Sequence, residues 1–173
     1  MNIDAKKLKE VKLLISGLDN AGKTSSLIAL RHKYNFFEQV KDLSPTIKIE
    51  YSSFDFLKNW KILLWDMGGQ EKYREIYINK PIYFNDTNFF YFFIDIQDHF
   101  RYQTSIDYLT NLLNILEKTG FSNEVVICLH KYDPNIRENR VINLKVDEIK
   151  KKIQQLNGTQ FEFKFFKTSL YDI

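Results

Sequence analysis

The chain has 173 residues, a size that suits one domain with a substantial buried core. Hydrophobic residues make up 44% of it and charged residues 27%, which is typical of a globular protein and excludes a disordered one. The formal charge of +3 is too small to indicate nucleic-acid binding, and the longest strongly apolar run, Phe89 to Ile94, is too short to span a membrane.

Short apolar strands alternate with helical patterns along the chain. The predicted strands cover residues 11–16, 47–56, 60–65, 89–94, 125–129 and 161–166. Helices are predicted at 23–33 and around two sets of apolar residues spaced three and four apart, Ile106, Leu109, Leu113 and Leu116, and Val146, Ile149, Ile153 and Leu156. The three-residue gap between the second and third strands favours an antiparallel hairpin. The order predicts an α/β domain with a mostly parallel six-stranded sheet and helices on both faces.

A phosphate-binding motif stands between the first predicted strand and the first predicted helix. Residues 17–24 read GLDNAGKT and match G-x-x-x-x-G-K-[ST], whose backbone N–H groups surround phosphate oxygens at a helix N-terminus. The residues expected to contact phosphate are Gly17, Asp19, Asn20, Ala21, Gly22, Lys23, Thr24 and Ser25. Lys23 adds a positive charge that serves catalysis, and the Thr24 hydroxyl is an expected Mg²⁺ ligand. A chance Gly/Lys turn is the alternative, which the flanking elements disfavour; the motif leaves the base open.

A second polar group follows the third predicted strand. Asp66 is an expected Mg²⁺ ligand, the Gly69 N–H can contact a γ-phosphate, and Gln70 can orient the attacking water. Thr46 opens the second strand and can offer its hydroxyl to Mg²⁺ and its N–H to the γ-phosphate. The alternatives are an Asp-Gly turn and an ordinary strand-opening threonine. With the phosphate loop present, the group predicts two loops that a γ-phosphate holds and its hydrolysis releases.

Base recognition is predicted at the ends of the last two strands. His130, Lys131 and Asp133 follow the fifth strand, and Ser169 and Leu170 follow the sixth. Asp133 can accept hydrogen bonds from guanine N1–H and its 2-amino group, a donor pair that adenine lacks. The Lys131 stem can cover the ring, and the Leu170 N–H can reach guanine O6. An ordinary charged loop is the alternative for residues 130–133.

These five motifs, in this order, resemble the small GTPases of the Ras superfamily. GLDNAGKTS, SPT and WDMGGQEKYR are similar to the Arf and Arf-like branch, whereas HKYD and FFKTSLYD resemble the Rag branch. The resemblance implies a GTP-binding switch that uses Mg²⁺, hydrolyses GTP slowly, and works with exchange factors, activating proteins and effectors. It also implies a final helix after the last strand. Because only residues 168–173 follow that strand, we expect one G domain over residues 1–173, truncated at its C-terminus.

Several residues depart from these families. His130 replaces the usual Asn, and Asp19 fits the Arf-like loop instead of the Rag loop. Asn2 excludes N-myristoylation, so we expect no direct lipid anchor and a cytoplasmic location. The Rag likeness also suggests a dimer with a related GTPase. Two other functions stay open: a Rag-like scaffold subunit that holds nucleotide with little hydrolysis, and, less favoured, an ATP-dependent kinase.

The remaining expectations concern residues around these motifs. The sequence shows no arginine placed to act in cis, and Arg74 is expected in a mobile segment that contacts partners. Tyr73, Ile76 and Tyr77, with Phe54 and Trp60, either form an effector patch or pack into the core. Cys128, the only cysteine, is expected to be a buried thiol and not a nucleophile.

Overall fold

The structure, a computed structural model, describes residues 9–32, 36–41, 43–57, 59–156 and 160–172. Its six strands are β1 (Lys9–Gly17), β2 (Ile49–Leu57), β3 (Trp60–Met67), β4 (Thr87–Asp95), β5 (Val125–His130) and β6 (Phe163–Thr168). Its five α-helices are α1 (Lys23–His32), α2 (Phe37–Lys41), α3 (Glu71–Ile78), α4 (Tyr102–Lys118) and α5 (Arg140–Gln154). Short 3₁₀ turns cover Pro81–Phe84, His99–Arg101, Pro134–Ile136 and Leu170–Asp172.

The strands form one sheet in the order β2-β3-β1-β4-β5-β6. Only β2 runs antiparallel to its neighbour, and every other neighbouring pair in this described sheet is parallel. The predicted mostly parallel six-stranded sheet with one antiparallel hairpin strand is therefore confirmed. Because the parallel strands share a direction, β1, β3, β4, β5 and β6 all end at the same edge of the sheet.

Alternating side chains of the strands divide the core between the two faces of the sheet. On one face Phe90, Phe92 and Leu129 pack with α4 and α5 in the larger cluster. On the other face Phe93 and Cys128 belong to a smaller cluster that includes Leu27 of α1. Cys128 is buried as expected, and burial raises the pKa of its thiol to about 12. A thiol with so high a pKa stays protonated at neutral pH and is a poor nucleophile.

The second face is only partly covered by the described chain. Phe89 and Phe166 point from it with 47% and 52% of their surface exposed. They line an apolar groove with Tyr91, Val126 and Cys128. Among the described residues, β6 is followed by the 3₁₀ turn Leu170–Asp172. The expectation of a truncated final helix stays a prediction.

Helices α1, α4 and α5 match the predicted ones, whereas α2 and α3 are new. The predicted end of the first helix, Lys33, lies outside the described residues. Helix α5 ends at Gln154, before Leu156, which the apolar spacing had included. Helix α3 has only eight residues, with an N-cap residue, Gln70, whose side chain makes no capping bond. The two helical turns of α3 carry too few apolar residues on one face to give a clear periodic signal in the sequence.

Helix α3 also decides the role of the aromatic residues after Gln70. Tyr73 and Tyr77 are buried in the main core, and Ile76 is partly buried against it. Core packing is thus the correct alternative for these three residues, while Phe54 and Trp60 remain exposed on the hairpin. No helix in the described part of the chain has the length and apolarity needed to cross a bilayer.

Candidate functional site

A cavity of about 370 Å³ lies at the edge where the parallel strands end. It is lined by the phosphate loop after β1, by Thr46, by Gly69 and Gln70, and by the loops after β5 and β6. Among the predicted site residues it includes Asp19, Asn20, Ala21, Gly22, Lys23, Thr24, Ser25, Thr46, Gly69, Gln70, His130, Lys131, Asp133 and Leu170. Gly17, Asp66 and Ser169 lie outside this lining but contact residues within it, as described below. The structure therefore brings the five separate motifs to one cavity.

Two glycines shape the phosphate loop. Gly17 has a φ of 142°, and a Cβ there would lie 2.3 Å from the Phe93 carbonyl oxygen. Gly22 has a φ of 85°, and a Cβ there would lie 2.3 Å from Cδ2 of His130. Both positions combine a left-handed backbone with a close neighbour, so only glycine fits without movement. The loop can therefore turn back tightly between β4, β5 and the start of α1.

Lys23 places a buried ammonium under the loop. Its side chain is 5% exposed, and Nζ donates to the carbonyl oxygens of Gly17 at 3.1 Å and Leu18 at 2.8 Å. Burial lowers its pKa to about 8, although the charges of Asp66 and Asp19 raise it. A bound phosphate would favour the charged ammonium in the same way that these carboxylates do. The site thus holds a buried cation whose charged form an anionic ligand would stabilise.

Three oxygen-bearing side chains converge beside Lys23. The hydroxyl oxygens of Thr24 and Thr46 lie 2.7 Å apart, and Thr24 donates to Asp66 Oδ2 at 2.5 Å. Asp66 is 1% exposed, and its other oxygen, Oδ1, has no hydrogen-bond partner in the part of the chain that the structure describes. Burial raises the pKa of this carboxyl. Hydroxyl and carboxylate oxygens are the hard ligands that Mg²⁺ prefers, and a cation would stabilise the buried carboxylate, so the residues fit the predicted metal.

Gly69 packs directly on the phosphate loop. A Cβ at Gly69 would lie 2.1 Å from the backbone nitrogen of Asp19, so the two backbones approach as closely as glycine allows. Gln70 lines the cavity next to it and precedes α3. Arg74 is in α3, where its Nε donates to the Gly69 carbonyl at 3.0 Å and its guanidinium lies over the Tyr108 ring. These contacts place Arg74 against its own domain, and the expectation that it lies in a mobile segment and contacts partners stays a prediction.

The residues predicted to read the base form a network around Asp133. The Ser169 hydroxyl donates to Asp133 Oδ1 at 2.6 Å, which orients the carboxylate. The Gln97 side-chain amide donates to Asp133 Oδ2 at 3.0 Å and to the Lys131 carbonyl at 2.8 Å. Lys131 pairs with Asp95 at 2.7 Å. No sequence motif identifies Gln97; it reaches Asp133 because β4 and β5 are neighbours in the sheet, so the loops after them meet.

His130 joins three elements behind the cavity. Its side chain is 2% exposed, its Nδ1 lies 2.9 Å from the Thr168 hydroxyl of β6, and its Nε2 lies 3.4 Å from the Ser26 hydroxyl of α1. Burial lowers its pKa to about 4, and the charge of Lys131 acts in the same direction. The imidazole is therefore neutral at pH 7. In this chain His130 packs against the phosphate loop at Gly22 and against α1 at Ser26.

Arg101 is a further site residue that no motif indicates. Its Nη1 pairs with Asp19 Oδ1 at 2.9 Å, and its Nη2 donates to the Asp19 carbonyl at 3.3 Å. Its Nε donates to Asp98 Oδ2 at 2.5 Å. The 3₁₀ turn before α4 thus brings a guanidinium to the phosphate loop, although no sequence motif places an arginine there.

Comparison with known proteins agrees with this arrangement. Residues 12–173 match the family model described as the Gtr1/RagA G protein conserved region. The ADP-ribosylation factor-like proteins alp41 of Schizosaccharomyces pombe and 3 of Chlamydomonas reinhardtii are 32% and 35% identical over 121 and 115 residues. These matches cover 70% and 66% of this chain, which spans about 60% of the length of each relative.

Two solved structures have a similar fold. The Arl6 BBS3 small GTPase from Trypanosoma brucei, with bound GppNp, has a TM-score of 0.68 at 18% identity and covers 94% of this chain and 88% of its own. The mammalian SRP receptor has a TM-score of 0.66 at 14% identity, and the match covers 92% of this chain and 91% of the receptor chain. At such low identity these two likenesses support the fold alone.

The buried histidine predicts a specific pH dependence of stability. His130 has a folded-state pKa of about 4 against an ordinary 6.5, so the unfolded chain takes up the proton first as the pH falls. Its contribution is complete above about pH 6.5 and is lost towards pH 4, amounting to about 2 kcal/mol between pH 7.5 and 5. In His130→Asn, the free energy of unfolding measured with urea should therefore change by about 2 kcal/mol less between pH 7.5 and 5 than it does in wild type. His99→Asn, at an exposed histidine, is the control; an equal pH slope in His130→Asn and wild type would contradict the assignment.

Proposed function

This chain belongs to the Gtr1/RagA G-protein family, and from that membership we propose that it is a switch that binds GTP with Mg²⁺ and hydrolyses it to GDP. The observation that carries the proposal is the single cavity that joins Lys23, Thr24 and Thr46 at one end to Asp133 at the other. A nucleoside triphosphate needs both ends at once: cations and N–H groups for phosphate, and a selective acceptor for the base. We propose residues 1–173 as one G domain.

The phosphate end acts by positioning and electrostatics. The loop N–H groups and the N-terminus of α1 face the phosphate oxygens, and Lys23 supplies its charge to the β- and γ-phosphates. The hydroxyls of Thr24 and Thr46, with Asp66, would hold Mg²⁺. When bound, the metal neutralises charge that develops on the phosphate oxygens during transfer. Because Lys23 is already buried and hydrogen-bonded, little reorganisation is needed when the phosphates bind.

The base end selects guanine through Asp133. Its carboxylate accepts the N1–H and 2-amino donors of guanine, while Ser169 and Gln97 hold it in place. An adenine base offers no such pair of donors and would leave the carboxylate unpaired, which disfavours it. The Lys131 stem covers the ring, and the Leu170 N–H meets the guanine O6.

Hydrolysis requires a water in line with the γ-phosphate, and Gln70 is the residue that orients it. Gln70 follows Gly69, whose backbone lies on the phosphate loop at Asp19. Thr46 and Gly69 both contact groups around the γ-phosphate, so loss of that phosphate releases both segments. The two segments are already linked, because the Gly68 N–H and the Tyr77 hydroxyl both donate to the Lys48 carbonyl.

The switch motion provides the basis for regulation. We propose that exchange factors, activating proteins and effectors recognise the segments around Thr46 and Gln70, and that the family likeness extends to a dimer with a related GTPase. Exposed Phe54 and Trp60 on the adjoining hairpin are the remaining candidates of the predicted apolar effector patch. A direct lipid anchor is not part of the proposal, and the cytoplasmic location stays a prediction.

Base selection is tested by Asp133→Asn. The substitution replaces one carboxylate acceptor with an amide that opposes the guanine donors, so the affinity for GDP and GTP should fall about 10- to 100-fold. Competition binding against a fluorescent guanine nucleotide measures the change, with ATP as the comparison ligand. Asp107→Asn, at an exposed aspartate of α4, should leave affinity within about twofold of wild type. Unchanged guanine affinity in Asp133→Asn would exclude Asp133 as the base reader.

Hydrolysis is tested by single-turnover kinetics with GTP. We expect wild-type rates on the order of 10⁻⁴–10⁻³ s⁻¹ and at least about tenfold slower turnover in Gln70→Leu, since the water loses its orienting partner. Gln154→Leu, at the exposed end of α5, is the matched control and should turn over normally. If wild type binds GTP but turns over no faster than Gln70→Leu, the nucleotide-holding scaffold is the better function.

A further inference from the structure

The phosphate loop carries a negative charge at the place where phosphates are proposed to bind. Asp19 lines the cavity, and its backbone nitrogen lies directly against Gly69. A triphosphate brings one more phosphate than a diphosphate to this part of the site. An unneutralised carboxylate here would therefore repel GTP more than GDP.

Arg101 offsets this charge and also fixes where it lies. One Nη pairs with the carboxylate at 2.9 Å, the other donates to the carbonyl of the same residue at 3.3 Å, and Asp98 holds Nε at 2.5 Å. The guanidinium is thus bound on both sides, with about a third of the Arg101 side chain exposed. One contact reaches the Asp19 carboxylate, one reaches its backbone carbonyl and one anchors the guanidinium to Asp98, so the pair is held more firmly than a single surface ion pair.

The same connection reaches the other end of the cavity. Gln97, four residues before Arg101, donates to Asp133 and to the Lys131 carbonyl. The segment from Asp95 to Arg101 therefore touches the phosphate loop at one end and the base-reading loop at the other. Because β4 lies between β1 and β5 in the sheet, the segment that follows β4 lies between those two loops and contacts both.

We propose that Arg101 is a positioning residue for the triphosphate: by neutralising Asp19 and holding its carboxylate, it sets the preference of the site for GTP over GDP. The inference rests on the proposed guanine-nucleotide function and adds a determinant outside the motifs. Arg101 acts through Asp19, so its removal should change binding of the γ-phosphate through an unpaired aspartate. Neutralising that aspartate should then reverse the change.

The test compares wild type, Arg101→Gln, Asp19→Asn and the double variant. Affinities for GDP and for a non-hydrolysable GTP analogue are measured by competition at low and high salt. Arg101→Gln should weaken the triphosphate about three- to tenfold relative to GDP, and the deficit should shrink as salt screens the exposed pair. Asp19→Asn should shift the ratio the other way, and adding it to Arg101→Gln should restore most of the loss.

Controls separate this role from general damage. Arg140→Gln, at an exposed arginine that begins α5, should keep the wild-type ratio. Thermal unfolding of each nucleotide-free variant reports whether the fold is retained. An unchanged ratio in Arg101→Gln overturns the inference, as does a loss that Asp19→Asn fails to rescue. Slower single-turnover hydrolysis with an unchanged affinity ratio also overturns it, since Arg101 would then act on the transition state.

The proposed function and this inference fail differently. If wild type binds no guanine nucleotide, the proposed function fails and the inference fails with it. If wild type binds GDP and GTP, and the four affinity ratios are equal, only the role of Arg101 is refuted.

Discussion

Parallel pairing of five strands makes the site possible. Because β3, β1, β4, β5 and β6 run in one direction, the chain leaves the sheet at one edge after each of them. The predicted site residues that line the cavity, except Thr46, lie where such a strand ends or on the helix that follows it. The antiparallel pairing of β2 with β3 accounts for Thr46, because the start of β2 lies beside the end of β3. Ile49 pairs with Met67 in that register, which brings Thr46 to Asp66.

The site keeps charges buried that would be costly without partners. Lys23 and Asp66 are 5% and 1% exposed. Burial lowers the pKa of Lys23 and raises the pKa of Asp66, so it favours the neutral form of each side chain. One carboxylate oxygen of Asp66 has no hydrogen-bond partner among the described residues. Buried charges of this kind are usual where a charged ligand completes the network. A nucleotide with Mg²⁺ brings both signs of charge, the anion for Lys23 and the cation for Asp66.

The sequence predicted the parts of the fold and site that depend on local pattern. Apolar runs located all six strands, and the spacing of Leu109 and Leu113 located α4, since these signals lie within a few residues. Helix α3 was not predicted because a segment of eight residues is too short to show a helical period clearly. Gln97 and Arg101 were missed for another reason: their partners lie 36 and 82 residues away in the chain. Such contacts follow from strand order, which composition and spacing do not specify. His130 was noted as a departure from the usual Asn, but its bonds to Ser26 and Thr168 needed the structure.

This cavity is proposed to hold a guanine nucleotide. The most direct measurement is to denature the purified protein and identify the released nucleotide by ion-exchange chromatography. We expect GDP or GTP, in amounts approaching one per chain, because Asp133 and the phosphate loop would bind the same molecule. Adenine nucleotides in place of guanine nucleotides would contradict it, since Asp133 would then not read the base.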